Sequence, residues 1–226
     1  MADAILSSPF LGLALSAAAW QAGCWLQKKT GFILCNPLLV AAALVIGVLA
    51  LFRIPYQAYA LGGDFIKLML GPVTAVLALN IYNQRAILKE NFLPVLAGCL
   101  VGSCTSVGSV LLLCRLFRVE ETLTASLLPK SVTTAIAIGI AESRGGVGGI
   151  AAAAVIVTGL VGAVLAPLFA RLFRITEPVA EGLAIGACSH ALGTTRAMEI
   201  GPVQGAMSSI AICVCGIMTS VLALFL

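Results

Sequence analysis

Long apolar stretches alternate with short polar ones along the chain, and this pattern predicts a bundle of membrane-spanning helices. Five stretches contain no charged residue, at 4–27, 31–52, 91–114, 145–170 and 200–226. A helix of about 20 apolar residues is long enough to cross the hydrocarbon core of a bilayer. A shorter run at 68–84 is a sixth candidate. We therefore expect an all-α polytopic membrane protein with about six full transmembrane helices in the lipid bilayer.

Two further segments, near 122–142 and 177–200, have polar residues in the middle of an apolar helical pattern. In the first, Pro129 removes a backbone hydrogen bond from any helix that contains it. In the second, the polar residues fall at 190–195. Backbone groups freed by such breaks are tolerated at membrane depth only beside protein or a watery cavity. We predict two broken or re-entrant helical segments whose unwound parts meet around a small polar solute.

The chain is predicted to form a single transmembrane domain, residues 1–226, with an N-terminal part (1–64) and a repeat-containing core (65–226). Residues 56–64 are expected to form an interfacial connector, in which Asp64 caps a third helix over about 65–82. The sequence RLFRV at 115–119 recurs as RLFRI at 171–175, and Gly102, Gly159 and Gly216 are evenly spaced. Secondary transporters are often built from such internal repeats, with interrupted segments at the binding site.

Composition supports the membrane assignment and narrows the function. Charged residues make up 10% of the chain, against about 25% in soluble domains, and the mean hydropathy is +1.11. The net charge of +4 gives no indication of a nucleic-acid partner. The eight cysteines lie within or beside apolar stretches and form no C-x-x-C pair, so we interpret them as packing residues. No metal and no cofactor are expected.

Polar side chains in the two interrupted segments are the candidate substrate ligands, because polar groups at membrane depth usually face a cavity or a partner. Lys130 would attract an anion, either a substrate carboxylate or the side chain of Glu142 or Glu199, or its ammonium group would extend to the membrane surface. Arg196 would bind a carboxylate in a bidentate manner or pair with Glu199. Helix N-termini at the breaks would also favour an anion. The predicted substrate-binding residues are Lys130, Ser131, Thr133, Thr134, Ser189, His190, Gly193, Thr194, Thr195 and Arg196.

The only histidine, His190, is a candidate for proton coupling because the ordinary pKa of histidine is about 6.5. Alternatively, its side chain holds the break in shape by hydrogen bonding. Glu142 and Glu199 are further candidates for proton or ion coupling, although Glu142 could instead pair with Arg144. Gly193 is expected to allow a tight backbone turn.

The hydroxyls of Ser189, Thr194 and Thr195 could bind substrate, cap carbonyls freed by the break, or do both. Ser189 and His190 are neighbours in the chain, and neighbours seldom place a nucleophile and a base within hydrogen-bond reach. The single histidine has no evident acidic partner. We therefore predict that the protein is not an enzyme.

The motifs at 129–134 and 189–194, with the segments 159–163 and 182–186 between them, resemble those of the LrgB family, also called the CidB/LrgB or antiholin-like family. The resemblance covers nearly the whole chain and is tightest from residue 127 onwards. It implies one of two roles. Bacterial members are described as modulators of murein hydrolase activity, autolysis and programmed cell death that act with a small holin-like partner of the LrgA/CidA type. Other relatives look like carriers of small carboxylates, among them a plastid glycolate/glycerate translocator and bacterial pyruvate-uptake systems.

With no transit sequence and no fused partner domain, the chain is expected to be the stand-alone bacterial form, a multi-pass protein of the cytoplasmic (inner) membrane. We predict transport of a small monocarboxylate of the pyruvate, glycolate or glycerate type, together with an LrgA/CidA-type partner. The alternative is an antiholin-like regulator of murein hydrolase activity that transports nothing itself. A polar pocket inside the bundle would favour transport, whereas a filled bundle with a large apolar lateral face would favour regulation. The many small residues favour close helix packing, from which we also expect a homodimer.

Overall fold

The computed structural model describes residues 8–31, 37–83 and 85–226, and this part of the chain is helical without any β-strand. The predicted all-α class is therefore confirmed for the described residues. By their contacts the residues form two compact units, one ending at Val73 and one comprising Thr74–Leu226.

The first unit contains α1 (Pro9–Thr30), α2 (Pro37–Leu51) and α3 (Tyr56–Leu68). Helix α3 packs closely on α1, since a Cβ atom added to Gly12 would lie 3.0 Å from the Cα of Gly62. The hydroxyls of Ser16 and Tyr59 also lie 2.9 Å apart. Residues 56–64, predicted to be a connector, are thus part of a packed helix. Asp64 lies inside that helix, so its predicted role as a helix cap is wrong.

Helix α4 (Leu70–Asn83) follows, and the second unit continues with α5 (Arg85–Glu90), α6 (Phe92–Leu116), α7 (Glu121–Leu127), α8 (Thr134–Ser143), α9 (Gly148–Leu172), α10 (Pro178–Ile200) and α11 (Pro202–Leu224). Among the described residues, three helices are long and apolar enough to cross a membrane: α6, α9 and α11. Helices α2 and α8 are apolar but shorter. The total of six full spans stays a prediction.

Helices α6 and α11 run in the same direction. Val95 and Cys99 near the start of α6 share a core cluster with Met207 of α11, whereas Val107 of α6 packs with Ala223 near the end of α11. We call the end of the unit at which α6 and α11 begin the first end, and the end at which they finish the second end.

Helix α10 does not cross the unit but folds back on itself. Gly182 and Met198 both contact the first turn of α11, since a Cβ on Gly182 would lie 2.7 Å from the Cα of Gln204 and a Cβ on Gly205 would lie 2.8 Å from Met198 Cγ. In a straight helix, residues 182 and 198 would be about 24 Å apart. The backbone turns at His190, where φ is 38° and ψ is −130°. Residues 178–200 therefore form a re-entrant hairpin that enters from the first end, and we call it the second hairpin.

The segment that contains α7 and α8 also returns to the end from which it enters. Near its start, the Ser126 hydroxyl accepts a hydrogen bond of 2.7 Å from the backbone N–H of Val147, which lies just beyond the end of α8. At the second end, Leu128 and Ile140 from its two arms share one cluster with Ala223. Residues 121–143 thus form a first hairpin, which enters from the second end.

Both predicted interruptions are confirmed by these breaks, and in each case the arrangement is re-entrant. In the first hairpin α7 ends at Leu127 and α8 begins only at Thr134. In the second hairpin the break is the single non-helical residue His190. The hairpins enter from opposite ends, so their tips lie inside the unit.

The repeated sequence RLFR corresponds to a repeated helix terminus. Arg118 after α6 and Arg174 after α9 adopt positive φ angles of 53° and 54°. The next N–H groups, of Val119 and Ile175, bond to carbonyls five residues back at 2.8 Å, which is the pattern of a Schellman cap. Arg53 after α2, with φ of 51°, makes a third such cap. A long helix, this cap and a re-entrant hairpin thus occur in the same order twice, while an internal sequence repeat stays a prediction.

Candidate functional site

A cavity of about 700 Å³ lies within the second unit, between α6, α9, the first arm of the second hairpin and the tip of the first hairpin. Its polar lining consists of Thr105, Ser106, Lys130, Ser131, Thr158 and Glu181. Its apolar lining includes Val157, Val161, Leu165, Phe169, Ile175 and Ala184. The cavity is therefore mainly apolar, with one basic and one acidic side chain among the described residues.

Lys130 lies at the tip of the first hairpin, directly after the buried Pro129 that ends the first arm. Its ammonium group donates a hydrogen bond of 3.1 Å to the Ser131 hydroxyl, and the Ser106 hydroxyl donates to the same oxygen at 2.8 Å. Within the described chain, Lys130 has no carboxylate partner. Because a charge in an apolar setting is weakly screened, this arrangement favours the binding of an anion. The inner position at the hairpin tip argues against the alternative of a lysine that extends to the membrane surface.

The tip of the second hairpin fits against two glycines of α9. A Cβ atom on Gly159 would lie 2.7 Å from Cε1 of His190, and a Cβ on Gly162 would lie 2.8 Å from the Cβ of Ser189. The His190 imidazole also lies against the backbone of Lys130 and Val155. The structure thus brings together the two polar segments that the sequence singles out.

Three polar atoms near the hairpin tips are buried without a hydrogen-bond partner in the described structure: Thr133 Oγ1, Ser189 Oγ and His190 Nε2. Ser189 and His190 are only 0% and 2% exposed. Buried polar groups are nearly always hydrogen-bonded, so these three atoms are exceptions, and none of their residues lines the cavity. Because the Ser189 hydroxyl has no partner, it does not form a nucleophile–base pair with His190, which gives no support to hydrolase chemistry.

The two threonines of the second hairpin bond to its backbone. The Thr194 hydroxyl donates to the His190 carbonyl at 2.9 Å and lies 2.6 Å from the Ser208 hydroxyl on α11. Thr195 donates to the Ala191 carbonyl at 3.3 Å. Both side chains therefore cap carbonyls near the break, one of the two roles that the sequence leaves open.

Gly193 serves the hairpin differently from the prediction. The positive φ at the break belongs to His190, and Gly193 itself is not left-handed. A Cβ on Gly193 would lie 3.0 Å from Ile185 Cγ2 on the other arm. The expected role in the backbone turn is therefore corrected, because Gly193 leaves space for the two arms to approach.

Of the predicted residues, Lys130 and Ser131 line the cavity, and the other ten lie outside its lining: Thr133, Thr134, Glu142, Ser189, His190, Gly193, Thr194, Thr195, Arg196 and Glu199. Arg196 forms an ion pair with Glu199, and these side chains are 40% and 58% exposed. Glu142 lies at the outer end of α8, where its Oε1 would be 2.5 Å from a Cβ on Gly148. Their roles in binding or coupling stay predictions.

Glu181 is a lining residue that the sequence does not single out. Its carboxylate accepts a hydrogen bond of 3.1 Å from the Gln204 side chain at the first end. An acidic residue in the first turn of a helix is common, because it complements the helix dipole, so Glu181 has no distinctive signal. Thr105 and Ser106 were missed because they lie in a charge-free stretch.

Comparison with known proteins links the chain to one family. The model of the LrgB-like family matches residues 16–226. The Antiholin-like protein LrgB of Bacillus subtilis (strain 168) is 39% identical over 213 residues, which cover 94% of this chain and 92% of that protein. The protein of the same name from Bacillus mycoides (strain KBAB4) is 37% identical over 215 residues, or 95% and 94% of the two chains. Uncharacterized protein YxaC of Bacillus subtilis (strain 168) is 36% identical over 206 residues, or 91% and 90%. No solved structure matches the chain.

Proposed function

The chain belongs to the LrgB-like family, and with that premise we propose that it carries a small monocarboxylate, of the pyruvate, glycolate or glycerate type, across the cytoplasmic membrane of a bacterium as a multi-pass protein. The main supporting observation is Lys130, a cation without a carboxylate partner in the described chain, which lines a cavity at the tip of a re-entrant hairpin. Thr133, Ser189 and His190 lie around the same tips, outside the cavity lining.

In this proposal the substrate carboxylate binds between the hairpin tips. Lys130 and the Ser131 hydroxyl supply charge-assisted hydrogen bonds, which are stronger than those between neutral groups. The N-terminus of α8 points its partial positive charge at the same place. The remainder of the substrate extends along the apolar wall of α9.

The course of the cavity through the unit also suits a carrier. Its lining runs from Lys130 to Phe169, Ile175 and Glu181 at the first end. On the opposite side, Val107, Leu128 and Ile140 pack together. Carriers with paired interrupted segments move substrate by opening such a site alternately to each side, and hairpins that enter from opposite ends supply one gate for each side.

The test is uptake of labelled pyruvate and glycolate into proteoliposomes. We expect saturable uptake by the wild type and a loss of at least tenfold in Lys130→Met, which removes the charge but keeps a long side chain. Lys89→Met, on the exposed helix α5, is the matched control and should transport normally. Absence of uptake under every imposed gradient, in protein shown to be folded, would refute the proposal, as would full uptake by Lys130→Met.

Regulation of lysis is the second candidate, because two of the relatives above carry the name antiholin-like protein. The two functions can be separated in bacteria that lack their own homologue. Murein hydrolase activity and lysis are measured with the wild type and with Lys130→Met at equal membrane abundance. If control of lysis follows from carboxylate flux, the variant loses both uptake and control. A variant that has lost uptake but still restrains lysis would assign regulation to a direct interaction.

The proposal includes a holin-like membrane partner of the LrgA/CidA type and a homodimer. Both rest on the family and on the many small residues of the helices. Affinity purification from membranes that contain tagged chain, untagged chain and the partner tests them together. Recovery of neither the untagged chain nor the partner would remove both assemblies from the proposal.

A further inference from the structure

We infer that the site binds monocarboxylates with a longer apolar chain, to at least six carbons, more tightly than two- and three-carbon acids, and that it rejects dicarboxylates. The inference rests on the proposed function for the position of the carboxylate, at Lys130. It concerns the remainder of the ligand, which the cavity walls select.

The cavity is larger than a two- or three-carbon acid requires. A volume of about 700 Å³ falls in the range of pockets that hold drug-sized ligands, about 300–1,000 Å³. A two- or three-carbon acid bound at Lys130 would leave most of this volume unused. A longer chain can extend from the hairpin tip towards the first end.

The wall that α9 contributes to the cavity is apolar. Beyond Lys130 and its neighbouring hydroxyls, the side of the cavity formed by α9 carries Val157, Val161, Leu165 and Phe169. Each methylene moved from water onto such a surface improves affinity by about three- to fourfold. The gain should continue with each added carbon until the chain reaches the first end.

The acidic side chain of the cavity lies at the end away from the hairpin tip. Glu181 lines the cavity at the first end, where Gln204 holds its carboxylate. It lies nine residues before the hairpin tip at His190, about 13 Å along the helix. A ligand with its carboxylate at Lys130 and a second carboxylate at its far end would meet a like charge in a weakly screened setting. An apolar end meets no such repulsion.

The experiment is saturable binding of labelled hexanoate to the protein in nanodiscs, with competition by unlabelled acids. We expect the inhibitory concentration to fall about three- to fourfold per methylene from acetate to hexanoate. Adipate, a six-carbon dicarboxylate, should be at least tenfold weaker than hexanoate. Hexanol should not compete, because it lacks the carboxylate.

Two variants test which side chains cause the preference for longer chains and the rejection of dicarboxylates. Val161→Phe narrows the space beside the apolar wall and should weaken hexanoate binding severalfold more than acetate binding. Glu181→Gln should bring adipate to within about threefold of hexanoate. Glu199→Gln, at a residue outside the cavity, is the control for Glu181→Gln.

Equal potency along the series would overturn the inference, and so would adipate as potent as hexanoate. Equal competition by hexanol would show an unselective slot for apolar chains, including lipid tails, and would also overturn it. Because binding is measured without transport, failure of pyruvate uptake with hexanoate bound as expected would count against the proposed function alone. Normal pyruvate uptake without saturable hexanoate binding would count against this inference alone.

Discussion

Gly159 and Gly162 of α9 provide the space that the tip of the second hairpin occupies. The tip presses Ser189 and His190 against these two positions, which holds the unpartnered side chains near Lys130. From the sequence alone, Gly159 was noted only for its even spacing from Gly102 and Gly216, because a missing side chain gives no sign of what will occupy its place.

Gly162→Ala is therefore expected to displace the hairpin tip. The added Cβ would lie 2.8 Å from the Cβ of Ser189, and overpacking of this kind costs about 1–3 kcal/mol. We expect a lower thermal midpoint in detergent and reduced substrate binding. Gly108→Ala on α6 is the matched control, since a Cβ there meets nothing within 4 Å and alanine favours the helix. Equal midpoints for both variants and the wild type would contradict this packing of the tip.

The residues of the site differ in how far the sequence reveals them. Lys130 and Ser131 follow a proline in an apolar segment, and a charge in that setting is conspicuous because it is costly. Both line the cavity. Glu181 and Ser106 have ordinary roles in their own helices and join the cavity only through tertiary packing. Arg196 is as polar as Lys130 but pairs with Glu199 on an exposed surface.

At the level of elements, the sequence predicts where the second hairpin breaks but not that it turns back. A helix of 23 residues is long enough to cross the membrane, and its hydropathy is the same whether it crosses or re-enters. Contacts with α11 distinguish the two, because Gly182 and Met198 meet the same turn of α11. Such contacts depend on residues distant in the chain, so no local pattern contains them.

The re-entrant arrangement predicts which positions share a side of the membrane. Glu120→Cys and Ser143→Cys flank the first hairpin, and Thr176→Cys and Val203→Cys flank the second. In sealed vesicles, an impermeant maleimide should reach both members of one pair from outside and both members of the other pair only after permeabilisation. If the hairpins crossed the membrane instead, the two members of each pair would label from opposite sides.

The sequence indicates only two of the three similar helix caps. The RLFR repeat marks the ends of α6 and α9, where Arg118 and Arg174 take the left-handed conformation that usually favours glycine. The third cap at Arg53 was missed because α2 ends without the preceding arginine. The backbone geometry of the cap thus recurs at all three sites. At each site the residues at the cap are a leucine, a phenylalanine and an arginine, in that order.

For the second unit as a whole, α6, α9, the first arm of the second hairpin and the tip of the first hairpin line a cavity that extends towards the first end. A polar pocket inside the bundle is the feature expected to favour transport over pure regulation, whereas the cavity in the structure is mainly apolar, with polar side chains near Lys130. Its polar part at 130–131 could be anticipated from the first polar segment, whereas its apolar wall and its direction depend on the packing of four separate elements. Regulation of lysis and transport remain compatible if lysis responds to carboxylate flux.

The central claim is that a carboxylate binds at Lys130 between the hairpin tips, and Cys188 allows a direct measurement. Its thiol lines the cavity close to Lys130, whereas Cys104 on α6 is exposed but outside the cavity. Modification of both cysteines by N-ethylmaleimide can be followed by peptide mass spectrometry in the unaltered protein. We predict that saturating pyruvate or hexanoate slows modification of Cys188 at least fivefold, leaves Cys104 unchanged, and has no effect in Lys130→Met. Modification of Cys188 at the same rate with and without carboxylate would contradict the account.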